Sequence, residues 1–323
     1  RYPYSTPLIL NDTSVNYIRN SVKVSIDAYH GKATFYVIDP DDPIIQTYQK
    51  IFPSLFRPIG DMPSELRSHT RYPEDLFEIQ SMQYLIYHMT DPTEFFNKED
   101  QWSIPNEFFR GDFMQMEPYF LNMRLPGESQ EEFVLLMPFT PANKENMVGW
   151  LAARSDGDNY GKLVSFAFPK GVTIFGPSQV EARISNDETI KQFFALVCTG
   201  EASCIRGNLL VIPMEGPDGA NQILYAEPLY LQATGLAFPE LKKVILADST
   251  NVVMEDTLAL AIASLTNRSL SDLAIRSEST TGQESTIGEL ILEEVLSEIS
   301  GVLEAMESQF KLLEQAFDNL SEL

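Results

Sequence analysis

Positive charge is scarce in this chain. Lys and Arg total 23 against 46 Asp and Glu, a formal net charge of −23 over 323 residues. A nucleic-acid binder must neutralise phosphates with clustered cations, and the nearest thing to a cluster is Lys242-Lys243, so nucleic acid is excluded as a partner. The same charge repels anionic headgroups, which removes peripheral attachment to a membrane through a basic face. Long apolar runs are missing too. None reaches the ~18 to 20 residues that span a bilayer, and no charged-then-apolar leader opens the chain, so the polypeptide is expected to be soluble. It begins on Arg1-Tyr-Pro-Tyr without Met, as at a boundary or a cleavage point that says nothing of what lies upstream.

The residues of familiar catalysis are also few. There are three histidines, and His30 in a hairpin turn, His69 near a helix end and His88 beside Tyr87 and Met89 read as structural or surface residues. Zinc or triad chemistry needs convergent partners that no spacing here provides. No G-x-S-x-G, P-loop or G-x-G-x-x-G occurs, so no cofactor is expected and no catalytic residue stands out. Cys198 and Cys204 flank Thr-Gly-Glu-Ala-Ser. Their spacing suits either a small disulfide loop or two free thiols, and it is not a usual zinc spacing.

What the chain has is apolar content, 44% of residues, enough for one large or two ordinary domains with a real core. The most structured stretch runs from Arg206 through Leu209-Leu-Val-Ile-Pro213 to Glu215, then, after Gly-Pro-Asp-Gly, from Gln222 to Ala233. It reads as two strands joined by a turn. Pro213 and Pro228 lack an N–H and should sit at a strand end, an edge or a bulge. Arg206 and Glu227 read as a buried ion pair or backbone-fixing residues rather than catalysts.

A first hairpin is expected from Val22-Lys-Val-Ser-Ile and Ala33-Thr-Phe-Tyr-Val-Ile, with Gly31 supplying a positive φ in the turn. Helices are expected after Asp42-Pro43, after Asp61-Met-Pro-Ser, over Leu76–His88 with a stripe of Leu76, Ile79, Met82 or Gln83 and Ile86, and after Asp91-Pro92. Strands follow at Pro118–Leu125 and Glu132–Phe139. Asn143–Ala153 reads as a short helix or turn, Ser155–Gly161 as a loop, Lys162–Phe168 as a strand, and Ser178–Val197 as one helix. A strand at Lys243–Ala247 and a helix over Asp256–Leu265 capped by Asp or Glu complete the region. Hairpins dominate, so the fold class is α+β with mainly antiparallel sheet and packed helices. Residues 1–265 form the globular region, with subdomains 1–112 (helix-rich) and 113–265 (strand-rich).

Residues 266–288 read as a flexible linker rich in Ser, Thr and charge. Over 289–323, Leu292, Leu296, Ile299, Leu303, Met306, Phe310, Leu313, Phe317 and Leu320 alternate four and three apart. That is the heptad seam of a long acidic amphipathic helix, which must dock on the domain or pair with a second copy. Among polar motifs, Asp156, Asp158 and Asn159 cluster oxygen ligands as calcium loops do, without the alternation or distal Glu of an EF-hand. A plain polar turn explains them as well. Asp39, Asp41 and Asp42 fit helix capping, and the pairs Glu74/Asp75 and Glu99/Asp100 are too common in an acidic chain to specify acid–base chemistry. Aromatic doublets such as Phe95-Phe96 and Phe108-Phe109 are core residues with a minority left to line a groove for an apolar or polymeric ligand.

Several motifs together resemble one family. Asn16-Tyr-Ile-Arg-Asn-Ser-Val-Lys-Val, Thr34-Phe-Tyr-Val-Ile-Asp-Pro-Asp-Asp-Pro, Arg71-Tyr-Pro-Glu-Asp-Leu-Phe, Met116-Glu-Pro-Tyr, Trp150-Leu-Ala-Ala-Arg-Ser-Asp-Gly, Gly176-Pro-Ser-Gln-Val-Glu-Ala-Arg-Ile and Arg206-Gly-Asn-Leu-Leu-Val-Ile-Pro are similar to the soluble part of bacterial membrane proteins called uncharacterised protein family 0182. The match covers roughly residues 8 to 265. The resemblance implies a multipass transmembrane block before Arg1, which would be a partner of this region, and a position outside the cytoplasmic membrane. It implies no activity and offers no catalytic residues. The expectation is a non-enzymatic binding or scaffolding domain for an envelope lipid, polymer or protein, with homo-oligomerisation through the last helix; the alternative is an envelope hydrolase or transferase using carboxylates.

Overall fold

The computed structural model describes residues 8–268, apart from 11–12, 110, 129, 199–201, 216–220 and 234–237. The acidic helix expected over 289–323, and the linker beyond Arg268, lie outside the described residues.

The chain opens with a small antiparallel pair, β1 (Leu8–Leu10) and β2 (Thr13–Val15). The expected hairpin follows as β3 (Val22–Ile26) and β4 (Ala33–Val37), in register from Val22↔Val37 to Ile26↔Ala33. Gly31 takes φ +66° in its turn, a value that favours glycine. Helix α1 (Pro43–Ile51) starts where Asp42 accepts from the Ile44 amide at 3.0 Å, with Pro43 in the first turn. This is the N-cap chemistry that the sequence announces. Strand β5 (Phe56–Pro58) returns parallel to β4, a single βαβ crossover among antiparallel pairings. Helices α2 (Ser64–Ser68), α3 (Glu74–Tyr87) and α4 (Pro92–Asn97) come next, α4 capped by Asp91 on the Thr93 and Glu94 amides. The buried face of α3 carries Phe77, Ile79 and Ser81. The expected stripe is therefore rotated, because α3 lies against the central sheet through the Phe77–Ser81–Tyr84 side while Leu76 and Met82 flank it.

Two five-stranded antiparallel sheets follow, and they share one design. Strands β6 (Trp102–Ser103), β7 (Asn106–Phe109), β8 (Asp112–Gln115), β9 (Tyr119–Arg124), β10 (Glu131–Pro141), β11 (Gly149–Arg154) and β12 (Leu163–Ala167) come first. In the first sheet β10 is the long spine, with β11 along one edge and β9 then β6 sharing the other. β7 and β8 form a separate hairpin. Helices α5 (Pro177–Asn186) and α6 (Glu188–Val197) lead to the second sheet, built from β13 (Ala202–Arg206), β14 (Leu210–Glu215), β15 (Asn221–Ala233), β16 (Glu240–Ala247) and β17 (Val252–Glu255). Here β15 is the spine, with β16 on one edge and β14 then β13 on the other. Pro228 falls at the gap where β14 gives way to β13 and beside a bulge at Leu229/Tyr230. Its missing N–H therefore interrupts no ladder bond on that edge. Pro213 lies on β14, an edge strand. Helix α7 (Leu258–Thr266) closes the region against β16 and β17.

One apolar core joins both sheets with α3, α5, α6 and α7. Tyr119 ties the sheets directly: its hydroxyl donates to the Val211 carbonyl at 2.7 Å and accepts from the Val211 amide at 3.0 Å. The α+β class with mainly antiparallel sheets is as expected. Among the described residues, no helix is long and apolar enough to cross a membrane.

Several elements differ from the sequence expectation. Residues 149–154, read as helix or turn, are the strand β11, buried at all six positions. A strand covered on both faces loses the alternation that would reveal it. The helix expected over 178–197 is broken at Asp187, whose side chain caps α6 by accepting from the Ile190 amide at 3.0 Å. Thr257, not an acidic residue, caps α7. β1, β2, β5, β6, β7, β8, β13 and β17, each five residues or fewer, were not among the expected strands.

Gly149 shows how tightly β11 is seated. A Cβ there would come 2.3 Å from the Phe166 carbonyl oxygen of the neighbouring strand, backbone that cannot swing aside. Gly149→Ala is expected to destabilise the fold by about 1–3 kcal/mol, the usual range for overpacking, seen as a lower urea midpoint with unchanged m-value.

Candidate functional site

Three buried glutamates converge near one arginine where α5, the β7–β8 hairpin and the second sheet meet. Arg206 ends β13, Glu227 lies on the spine strand β15, Glu181 on α5 and Glu107 on β7; the three carboxylates are 0%, 1% and 2% exposed. Arg206 grips Glu227 with two bonds, Nε to Oε1 and Nη2 to Oε2, and Nη2 also reaches Glu181 Oε2. Its Nη1 donates to Ser185 Oγ at 3.2 Å, and the guanidinium lies 5.0 Å from the Phe108 ring centroid. Glu181 Oε1 accepts from the Phe108 amide. Glu107 reaches the other way, accepting from the Leu209 amide at 2.7 Å and Asn208 Nδ2 at 3.1 Å. The carboxylates thus fasten the β7–β8 hairpin to the body at two points.

The charges do not balance. Three carboxylates face one guanidinium in a medium that penalises net charge. Burial pushes Glu107 up to about 7, against the hydrogen bonds from Leu209 and Asn208. Burial likewise pushes Glu227 up to about 8, against its bonds to Arg206, and raises Glu181 despite the same arginine. These groups interact with one another, so the protons belong to the cluster rather than to single residues.

A cavity of about 290 Å³ opens beside the cluster, lined by Phe108, Ile184, Ile190, Lys191, Phe194 and Arg206. It lies in the angle between α5 and α6 that the break at Asp187 creates. The disulfide Cys198–Cys204, with Cα atoms 5.3 Å apart, ties the end of α6 to β13 and so fixes one wall to the strand that carries Arg206. Of the two states open for these cysteines, the bonded one is present. A second, aromatic cavity of about 190 Å³ is lined by Trp150, Phe166, Phe168, Pro213, Met214 and Ile223.

The residues singled out from the sequence lie elsewhere. Asp156 Oδ2 accepts from the Phe133 amide at 2.7 Å, Asp158 lies in the short 3-10 turn 157–159, and Asn159 bonds Glu132 and Lys162. Nearby, buried Arg154 pairs with Glu128 and Glu132. Among the described residues, no group of three or more His, Cys, Asp or Glu side chains is arranged to hold a metal ion. His30 contacts Asp27, His69 contacts the Glu65 carbonyl, and His88 contacts the Tyr84 and Asp100 carbonyls while stacking on Trp102. Asp42 accepts from Ser21, Tyr17 and the Ile44 amide; burial alone would raise it, and these bonds hold it below the usual range. The Arg206–Glu227 pair is where the sequence put it. Glu181 and Glu107 were missed, and Glu181 appeared only as one position of the Gly176–Ile184 motif.

The fold and this node define an antiparallel α+β domain organised by a buried arginine–carboxylate cluster. The model of uncharacterised protein family UPF0182 matches residues 1–197. The chain belongs to this family. A UPF0182 protein of Pelotomaculum thermopropionicum is 52% identical over 262 residues, 81% of this chain and 28% of the relative. Those of Methanospirillum hungatei (50% over 266 residues, 81% and 29%) and Trichodesmium erythraeum (45% over 307 residues, 90% and 33%) are similar. The chain spans between a quarter and a third of the length of these curated relatives. No solved structure matches it.

Proposed function

We propose that this region is a non-enzymatic binding or scaffolding domain on the extracytoplasmic side of a larger membrane protein. The observation that carries the binding half is the direction of the buried carboxylates. Glu107, Glu181 and Glu227 all bond inward, to Arg206 and to backbone amides, whereas general acid–base catalysis needs a group within reach of a substrate proton. Exposed aromatic side chains instead gather on α3 and α4, where Tyr87 and Phe96 are exposed and Tyr87 lies 5.5 Å from the Phe95 ring, as in surfaces that bind. The Cys198–Cys204 disulfide supports an oxidising compartment. The match covers 28% of the Pelotomaculum thermopropionicum relative, which leaves room for a membrane block in a protein of that length.

The hydrolase or transferase alternative has one observation in its favour, the proton-holding cluster behind an open cavity. Because Arg206 rather than a carboxylate faces that cavity, binding is the better reading.

The placement is tested in the full-length protein with a cysteine at the most exposed aromatic position, Tyr29→Cys (Tyr29 is 95% exposed). A membrane-impermeant maleimide is expected to label it as fully in intact cells as after lysis. Labelling only after lysis would put the domain on the cytoplasmic side.

A further inference from the structure

We infer that the acidic seam of residues 289–323 docks, within the same chain, on the exposed apolar stripe of α1. Ile44, Tyr48, Ile51 and Phe52 recur four, three and one apart, and are 45%, 49%, 58% and 49% exposed. On a helix that spacing is one face, and here it points to solvent, with Leu55 exposed just beyond the helix end. Ile45 is the one residue α1 buries. On the adjoining three-stranded sheet a second apolar row, Val24 on β3, Phe35 on β4 and Phe56 on β5, runs opposite one another across the strands and is only partly covered. A contiguous exposed stripe of this size marks an interaction surface.

Charge selects the occupant. From Pro43 to Gly60 the charged residues are Lys50 and Arg57, with no acid, in a chain that elsewhere carries twice as many acids as bases. Residues 289–323 carry nine acids and one base, Lys311, around a seam that needs an apolar partner. An apolar stripe flanked by cations against an apolar seam flanked by carboxylates is complementary in both respects. At about 1.5 Å per residue, α1 is about a third as long as the seam would be as a helix, so it engages one part of it.

The tether allows the contact. About 23 residues separate Arg268 from Leu292 and extend to as much as about 80 Å, more than the ~45–50 Å diameter of a compact body of this size. Tethering sets an effective concentration on the order of millimolar, which favours the same chain over a second copy.

The test places photoreactive p-benzoylphenylalanine at position 48 of the full 323-residue chain, a near-isosteric exchange at an exposed site. The expected result is a monomer-mass cross-link that maps to peptides within 289–323. In the seam variant Leu303→Asp/Phe310→Asp its yield should fall at least tenfold, and the same probe at position 29 should give little product. Dimer-mass products would assign the seam to a second copy. Those products, cross-links to other parts of the chain, no cross-link, or an unchanged yield in the seam variant would each overturn the inference. None of these readouts depends on which side of a membrane the domain occupies.

Discussion

Replacing Arg206 by methionine is expected to cost the fold about 3–5 kcal/mol, the range seen when one partner of a buried ion pair is removed. Methionine keeps much of the volume, so the loss is electrostatic rather than a cavity effect. Glu227 would lose both of its guanidinium bonds and Glu181 its ion pair, at sites only 0% and 1% exposed. Native domains are stable by about 5–15 kcal/mol in all, so the variant should be marginal at neutral pH. The urea midpoint at pH 7 measures the change. A loss under about 1 kcal/mol would mean the carboxylates do not depend on this arginine. If the variant fails to fold, the combination Arg206→Met with Glu181→Gln and Glu227→Gln separates the causes: removing the negative charge that the cluster no longer balances should recover stability, whereas a pure packing defect would persist.

The two members of this cluster that the sequence exposed and the two that it hid differ for a physical reason. Arg206 stands just before the apolar run Leu209–Ile212 and Glu227 inside Ile223–Leu231, where a charge needs a partner, and the two runs are sequence neighbours. Glu107 comes from a short hairpin about 100 residues before Arg206 and Glu181 from a helix 25 residues before it, and no local spacing encodes such a meeting. The same division holds for the fold. Helix α1 was legible because Asp42 and Pro43 act within one turn, and the β14–β15 pair because the turn-favouring residues Gly-Pro-Asp-Gly separate two apolar runs in the sequence. β11 was not, because its burial is set by β10 and β12 on either side and by the close approach of Gly149 to Phe166. The break at Asp187 had a local signal, Asn186-Asp187-Glu188, but the apolar period runs through it from Ile184 to Ile190 and masks it.

Stability should fall as pH rises from about 5 to 8, opposite in sign to the rise expected from salt-bridged surface carboxylates. Glu107 is pushed up to about 7 and Glu227 up to about 8, in both cases first by burial, and Glu181 is raised for the same reason. A carboxyl held above its unfolded value keeps its proton in the native state after the unfolded chain has released it. The native state then binds more protons than the unfolded one, so unfolding free energy decreases with pH. The contribution is fully present below the ordinary carboxylate range and is lost as pH passes through 7 to 8. For Glu107 alone the rise from the ordinary carboxylate range to about 7 corresponds to about 3 kcal/mol. Asp42 and Asp248 are held below the usual range; their stabilising effect is lost only as pH falls toward and below 4, outside this window. Glu107→Gln isolates the effect. It removes the titration but presents an amide N–H to one of the two donors, Leu209 N and Asn208 Nδ2, so it should cost about 1–3 kcal/mol at pH 5. As pH rises its disadvantage should shrink, and by pH 8 it should match or exceed the parent. Urea midpoints at pH 5, 6, 7 and 8 for both proteins give the two slopes, and parallel slopes would show that Glu107 is ionised throughout and that the excess proton lies on another member of the cluster.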